Sequence, residues 1–223
     1  MMHRFRDIED ASLGLATRII ERLNFAINAE GSASMVLTGG KSIQRTLQLL
    51  SDEELSWEKV TVILSDERYL DVDHPASNEK QLRQLFLRNH ASNANYISLV
   101  TSVNTPEPDI DKVKMNLNAI KMPITVTVLV LGPDGHIASL FPGESRNWLA
   151  QSNCQIASSN NHEYTRITLT PNYICNSRLI LLLVSDVERV NLCEALLDGG
   201  DEDEYPARIL FNQNKTPVEI FSV

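Results

Sequence analysis

The stretch ITVTVLVLGPDGH, residues 124–136, places a glycine-rich turn and a histidine directly after a long apolar run. The run, residues 124–131, is too continuously apolar for a strand with one face in solvent, so it predicts a strand buried on both faces. The glycines and the proline of residues 132–135 then favour a sharp turn. Strands of this kind are typical of parallel sheets that helices cover on both sides.

Predicted helices and strands alternate along the rest of the chain. Apolar residues three and four positions apart predict an amphipathic helix over residues 7–29. Further predicted helices cover residues 42–50, 77–88, 110–121 and 187–197, and further predicted strands cover residues 35–38, 60–64, 96–100, 165–169, 179–184, 209–212 and 218–223. This alternation predicts one α/β domain, residues 1–223, with a parallel sheet covered on both faces.

Three predicted strands end in glycine-rich or charged segments, which are residues 38–42, 66–68 and 132–136. The carboxyl ends of parallel strands share one edge of the sheet, and ligands of open α/β sheets bind beyond that edge. These three segments are therefore candidates for a single site.

The chain carries a formal net charge of −9, from 29 acidic and 20 basic residues. This balance opposes a broad binding surface for nucleic acid, so an anionic ligand needs a locally basic site. The first ten residues lack the apolar core of a signal peptide, and no stretch approaches the roughly 18 uninterrupted apolar residues of a membrane span. We therefore expect a cytoplasmic protein without a nucleic-acid or membrane partner.

Cysteines and acidic residues outside these segments predict no chemistry of their own. Cys154, Cys175 and Cys193 form no CxxC pair and lie in or near apolar segments, which predicts reduced, partly buried thiols. Residues 199–204, GGDEDE, predict an acidic surface turn.

The segment TGGKS, residues 38–42, has two interpretations. Its glycines let the backbone approach a ligand closely, the following helix presents free N–H groups to an anion, and Lys41 adds a positive charge. The spacing is not that of a P-loop, however, and a Gly-Gly turn of this length is also common as a plain connection between a strand and a helix.

The segment SDER, residues 65–68, also has two interpretations. An isolated charge cluster is usually a solvated loop, here with an ion pair between Arg68 and either Asp66 or Glu67. Its predicted position beside the other two strand ends favours a place in the site.

His136 is the strongest candidate for a group that transfers protons, because histidine can take up and return a proton near neutral pH. Asp134 supplies a nearby carboxylate that can orient the ring. The chain has no GxSxG motif, so activated water is the simpler nucleophile. We expect no metal and no cofactor, because no pair among the other histidines has the spacing of a helix-borne metal site; these are His3, His74, His90 and His162.

Five segments in order along the chain resemble the family of 6-phosphogluconolactonases. The segment GPDGHIASLFPG, residues 132–143, is closest to the family signature, in which DGH precedes SLFP. The others are LTGGKS at 37–42, LSDERYLDVDHPASN at 64–78, TRITLT at 165–170 and RLILLLVSDVERV at 178–190. The resemblance covers most of the chain.

The resemblance implies a fold and an activity. The fold is a three-layer α/β/α domain with a mainly parallel, Rossmann-like sheet, related to that of glucosamine-6-phosphate deaminases. The activity is hydrolysis of 6-phosphoglucono-δ-lactone to 6-phosphogluconate in the oxidative pentose phosphate pathway, by a monomer or small homo-oligomer. The ligand is then a small phosphosugar lactone.

The resemblance also implies roles for individual residues. His136 would be the general base that activates water, with Asp134 and Asp66 as supporting acidic groups, and Arg68 would face the sugar or the carbonyl side. The phosphate would be held by Gly39, Gly40, Lys41, Ser42, Arg166 and Arg189.

Two other functions stay open at this point. An amino-sugar phosphate deaminase/isomerase of the related fold would share the glycine loop and the DGH motif, but Arg68 and residues 139–142 fit the lactonase. A sugar-phosphate-binding module without turnover is the second alternative. The presence of His136 and Asp134 opposes it, because binding alone needs no titrating group there.

Overall fold

The computed structural model describes residues 1–103, 105, 107–145, 148, 151–157 and 163–223. The helices in this part of the chain are α1 (Ile8–Glu30), α2 (Gln44–Asp52), α3 (Asn78–Leu85), α4 (Ile110–Asn118), α5 (Pro171–Cys175), α6 (Val187–Leu196) and α7 (Ile209–Asn212). The strands are β1 (Met2–Arg4), β2 (Ala33–Leu37), β3 (Val60–Leu64), β4 (Asp66–Arg68), β5 (Asn95–Ile97), β6 (Val126–Val130), β7 (Cys154–Ala157), β8 (Arg166–Leu169), β9 (Ile180–Val184) and β10 (Val218–Ser222).

Seven strands form one parallel sheet in the order β1-β10-β9-β6-β2-β3-β5. Strands β6, β2 and β3 are therefore neighbours, with Val36 of β2 paired with Thr127 on one side and Ile63 on the other. This order places the ends of the three candidate segments side by side. The prediction that they share one edge of the sheet is confirmed.

A second sheet, which the sequence pattern did not predict, has three short antiparallel strands in the order β4-β8-β7. A single residue, Ser65, separates the end of β3 from the start of β4. Residues 66–68 pair with β8 instead of continuing the parallel sheet. Arg68 pairs with Arg166 in this ladder. The small sheet thus brings DER and the basic residue of β8 to the edge where the parallel strands end.

Helix α1 illustrates how the sequence builds the layer on the sheet. Asp7 caps it by accepting a hydrogen bond from the Asp10 backbone N–H, and one face of the helix buries Leu15, Ile19 and Leu23 completely. The helix packs against β2, β6, β9 and β10. Each such side chain contributes about 1.5–3 kcal/mol by leaving water. The result is the predicted α/β architecture, a mainly parallel sheet flanked by helices.

The predicted helices and the long predicted strands are confirmed to within a few residues at each end. Ser77 caps α3, accepting a hydrogen bond from the Lys80 backbone N–H. The prediction of a strand at residues 209–212 was wrong. These residues form helix α7, since a 3-10 turn that starts at Pro206 leads directly into it. Of the two interpretations of SDER, the burial of Asp66 and Glu67 excludes the solvated loop. Strands β1, β4 and β7 and helix α5 were not predicted.

The cysteines have the predicted character, since none of the three forms a disulfide and two of them are buried. Burial raises the pKa of each thiol, that of Cys154, Cys175 and Cys193 alike, to about 11. His162 lies outside the described residues. Within the described part of the chain, no helix has the length and apolar character to cross a membrane.

Candidate active site

The segment after β2, residues 38–42, is called the Gly-Gly loop below. It is connected to strand β4 through the side chain of Asn78. The backbone of Gly39 lies directly against this side chain, and its Nδ2 donates a hydrogen bond to the carbonyl oxygen of Asp66 at 3.1 Å. Asn78 is the first residue of α3 and is buried. The start of α3 therefore fixes the loop after β2 relative to the strand after β3.

His136 and Asp134 form a hydrogen-bonded pair at the end of β6. The ring Nδ1 lies 2.5 Å from Asp134 Oδ1, and the same oxygen accepts the His136 backbone N–H at 3.2 Å. The bond to His136 lowers the pKa of Asp134 to about 2, so this carboxylate is ionised at neutral pH and accepts a hydrogen bond from the Nδ1–H group. In the neutral ring Nε2 then carries the free lone pair, which is the state a general base requires.

Two glycines make this pair possible. A Cβ on Gly132 would overlap the His136 ring, so the ring occupies space that any other residue would fill. Gly135 has a φ of 80°, a conformation that residues with a side chain rarely adopt. The turn predicted at residues 132–135 is confirmed. The His136 ring lies against the backbone of Gly132, at the start of this turn.

Asp66 lies in a buried network beside the histidine turn. Its Oδ2 accepts a hydrogen bond from Ser139 Oγ at 2.5 Å and lies 3.5 Å from Arg166 Nη1, while its Oδ1 accepts one from Ser65 Oγ at 3.0 Å. The Asp66 side chain is only 6% exposed. Its carboxylate is therefore occupied by protein partners, and it holds Arg166 in place.

Arg68 and Arg166 stand next to each other across β4 and β8. Arg68 donates from Nη1 to the carbonyl oxygen of Ala76. Among the described residues, the Nε atoms of both arginines are buried without a hydrogen-bond partner. Two arginines on paired strands, each with an unused Nε donor, form a locally basic site of the kind that an anionic ligand needs, although the carboxylates of Asp66 and Glu67 lie nearby.

Phe141 lies between Arg166 and His136. Its ring centroid lies 5.4 Å from that of His136 and 5.5 Å from the Arg166 guanidinium carbon. His136 and Arg166 thus pack on the same aromatic ring.

Glu67 is a buried residue next to the site whose structural part the sequence did not indicate. It is 2% exposed, and its carboxylate accepts hydrogen bonds from the backbone N–H groups of Asn78 and Glu79 and from Ser77 Oγ. Burial raises its pKa despite these bonds. It therefore anchors strand β4 to the start of α3. The available signal was the SN pair that begins that helix.

Lys41, Ser42 and Arg189 form a second polar group at the same edge. Ser42 Oγ donates to Ser185 Oγ at 3.1 Å, across the gap between the Gly-Gly loop and the residue that follows β9. Lys41 is exposed. Arg189, in the first turn of α6, pairs with Asp186, the N-cap of that helix. The structure thus pairs Arg189 with Asp186 beside the loop, and it places Arg166 opposite Arg68.

A cleft of about 1450 Å³ lies elsewhere in the described part of the chain. It is lined by residues that precede β6, β9 and β10, such as Pro123, Asn176 and Thr216, so it opens at the amino end of the parallel sheet. Within the described residues, no cluster of three or more His, Cys, Asp or Glu side chains is arranged to hold a metal ion. The chemistry described above belongs to the opposite, carboxyl edge.

Comparisons with known proteins agree with this geometry. A family model described as glucosamine-6-phosphate isomerases/6-phosphogluconolactonase matches residues 6–218. A 6-phosphogluconolactonase of Pseudomonas putida is 31% identical over 225 residues, which cover 99% of this chain and 91% of the relative. One of Helicobacter pylori strain 26695 is 32% identical over 231 residues, covering 99% and 96%.

A solved structure shows the same architecture. The crystal structure of a 6-phosphogluconolactonase from Shewanella baltica superposes with a TM-score of 0.95 at 33% identity, covering 100% of this chain and 97% of the other. The family model and the relatives each span nearly the whole chain, and so include all three segments of the site. The chain therefore belongs to the family of glucosamine-6-phosphate isomerases and 6-phosphogluconolactonases.

Proposed function

We propose that the protein is a 6-phosphogluconolactonase, which hydrolyses 6-phosphoglucono-δ-lactone to 6-phosphogluconate in the oxidative pentose phosphate pathway. The observation that carries the proposal is the Asp134–His136 pair, oriented at 2.5 Å and packed through Phe141 against Arg166. The names of the relatives support the same activity.

His136 acts as the general base in this proposal. Its Nε2 takes a proton from a water molecule while the water oxygen attacks the lactone carbonyl carbon. The tetrahedral intermediate then collapses, the bond between that carbon and the ring oxygen breaks, and the imidazolium returns the proton to the ring oxygen. Asp134 stays ionised throughout, because its pKa of about 2 lies far below neutral pH, and it stabilises the imidazolium.

The phosphate is held, in this proposal, by the loop Gly39, Gly40, Lys41 and Ser42 together with Arg166 and Arg189. The support is that Ser42 and Arg189 lie at one edge with Ser185 and Asp186, while Arg166 has a buried, unused Nε among the described residues. Arg68, beside Arg166, faces the sugar or the developing oxyanion. Anchoring a distant phosphate orients the carbonyl relative to His136.

The deaminase alternative is less well supported. Arg68 contributes half of the basic pair, and Ser139 donates to Asp66; both belong to the lactonase-like segments DER and SLFP. A pure binding module does not account for the oriented Asp134–His136 pair. We also propose that residues 1–223 form one domain, because the buried apolar residues from Ala11 to Phe221 belong to one cluster. A cytoplasmic location stays a prediction.

The deciding experiment generates the lactone in situ and follows acid release above the spontaneous rate. We expect the purified protein to accelerate hydrolysis and to release no ammonia from glucosamine 6-phosphate. Ammonia release without lactone hydrolysis would establish the deaminase. Neither reaction, with lactone binding shown by calorimetry, would establish the binding module.

A further inference from the structure

The acidic segment at residues 199–207, GGDEDEYPA, takes no part in the proposed chemistry, yet it contacts the turn that carries His136 at both ends. We propose that residues 203–207 form a clamp that positions His136, with Asp203 and Tyr205 as the positioning residues. This inference rests on the proposed function, since it concerns the same histidine.

The first contact is at Gly135, immediately before His136. The Ala207 backbone N–H donates to the Gly135 carbonyl oxygen at 2.9 Å. The Tyr205 ring lies so close that a Cβ added to Gly135 would be 2.6 Å from its Cδ1. One hydrogen bond and one ring therefore fix the backbone from which the His136 side chain extends.

The second contact is at the far end of the same turn, after Phe141. The Gly143 backbone N–H donates to the Asp203 carbonyl oxygen at 2.7 Å. The Asp203 carboxylate accepts both the Ser145 backbone N–H at 2.9 Å and Ser145 Oγ at 2.5 Å. Because Phe141 packs on His136, holding residues 143–145 also fixes the ring against which the imidazole rests.

Hydrogen bonds within residues 201–208 stabilise the clamp. The Asp203 backbone N–H donates to Asp201 Oδ1 at 2.9 Å. Arg208 donates to the Asp201 carbonyl oxygen at 3.1 Å and to Glu204 Oε2 at 2.6 Å, and its guanidinium carbon lies 4.9 Å from the centre of the Tyr205 ring. Hydrogen bonds within the turn thus occupy the carboxylates of Asp201 and Glu204. These bonds account for acidic residues being close together here without a metal ion.

Positioning of this kind affects catalysis more than binding. A general base must stay within roughly 0.5 Å of its productive position, and small displacements reduce the rate steeply. The phosphate ligands lie on other segments, so loosening the clamp leaves substrate affinity largely intact.

The test compares kcat and KM for Asp203→Ala, Asp203→Asn and the matched control Glu202→Ala, whose residue lies on the same acidic turn but bonds Asn212 instead. We expect Asp203→Ala to lower kcat about tenfold or more with KM within about twofold of wild type. Asp203→Asn keeps an acceptor for Ser145 and recovers most of the loss, and Glu202→Ala changes neither parameter.

A second pair covers the case in which Asp203→Ala fails to fold. Tyr205→Ala removes the ring beside Gly135 and lowers kcat, whereas Tyr205→Phe keeps the ring and retains most of it. In a His136→Ala background, Asp203→Ala or Tyr205→Ala should cause no further loss, because positioning of an absent base has no effect. Two outcomes would overturn the clamp. One is a loss of kcat in the His136→Ala background equal to that in the wild-type background. The other is a kcat within about twofold of wild type for both Asp203→Ala and Tyr205→Ala.

A failure of the proposed function is distinguishable, because then the wild type itself does not accelerate lactone hydrolysis. The clamp is in that case judged by ¹H–¹⁵N spectra of the His136 ring. Asp203→Ala should shift the ring nitrogen signals and Asp203→Asn should leave them near their wild-type positions. Unchanged signals in Asp203→Ala would overturn the clamp.

Discussion

Two of the pairs at the carboxyl edge of the sheet, Asp134–His136 and Asp66–Arg166, join a carboxylate to a basic side chain and differ in exposure. In the first, Asp134 and His136 are 47% and 29% exposed and 2.5 Å apart. In the second, Asp66 and Arg166 are 6% and 15% exposed and 3.5 Å apart. Both join an acidic to a basic group, yet only the first contains an imidazole, a side chain that can both take up and release a proton.

The difference separates proton transfer from orientation. A partly exposed imidazole can exchange a proton with water or a substrate, and the ionised Asp134 beside it keeps one ring nitrogen protonated. A guanidinium stays charged, so Arg166 can orient an anion but cannot act as a base. Residue type therefore decides which pair can transfer a proton, and burial decides how firmly protein partners hold the other pair.

The largest expected effect comes from breaking the exposed pair. His136→Ala removes the base and should lower kcat by about 10²–10⁴-fold, the usual contribution of general acid–base catalysis. Thermal unfolding should change little, because the side chain is partly exposed. Steady-state kinetics and a melting curve measure both, and undiminished acceleration by the variant would contradict the assignment of the base.

Breaking the buried pair should act on stability instead. Asp66→Ala leaves the Arg166 charge buried without its partner, and we expect a loss of about 3 kcal/mol in the free energy of unfolding, measured in urea. Asp134→Ala is the matched control at the exposed pair, with an expected loss below about 1 kcal/mol. Equal losses in the two variants would remove the distinction drawn from burial.

A smaller effect is expected from the cation of the buried pair. Arg166→Ala should raise KM about tenfold and lower kcat less, because the guanidinium is proposed to hold the phosphate in ground state and transition state alike. Arg166→Lys keeps the charge but lacks the planar donors of a guanidinium, so its KM should lie between that of Arg166→Ala and that of the wild type. A fall in kcat with unchanged KM would count against the phosphate role.

The smallest effect concerns the pH dependence that Glu67 gives to strand β4. Its folded-state pKa is raised above the ordinary 4.5 by burial, so between the two pKa values the folded state binds more protons than the unfolded state. Stability therefore falls as pH rises from 4.5 through the folded-state pKa.

Glu67→Gln removes this titration. We expect the melting temperature of the wild type to fall relative to that of the variant as pH rises from about 4 to about 7, although the variant loses acceptors and is less stable overall. A constant difference between the two melting temperatures across this range would show that Glu67 titrates with its ordinary pKa.

The two pairs also differ in how far the sequence could predict them. Asp134 and His136 are two positions apart in one turn, so their pairing follows from the local motif. Asp66 and Arg166 are joined only because β4 pairs with β8. The sequence predicts β8 as a strand but not the short, charged β4, and no local signal predicts that the two pair. The edge of the parallel sheet was predictable because long apolar runs determine it.

The proposed clamp and the anchoring of β4 by Glu67 could not be predicted from the sequence, because both depend on contacts between residues that are distant in sequence. Glu67 looked like one charge in a polar cluster, and its burial depends on the packing of α3. The apolar residues 209–212 suggested a strand, because four residues are too few to distinguish a helical from an extended period. Signals of this kind become readable only when contacts distant in sequence are known.

The raised thiol pKa values give the protein an internal reporter of opening. Cys154 and Cys193 are fully buried, and thiols with pKa values near 11 are protonated at neutral pH, so a thiol reagent reaches them only when the surrounding structure opens. Cys175, by contrast, lines the cleft at the amino edge. The order in which Cys154 and Cys193 are labelled therefore shows whether the small sheet, which contains β7, or helix α6 opens first.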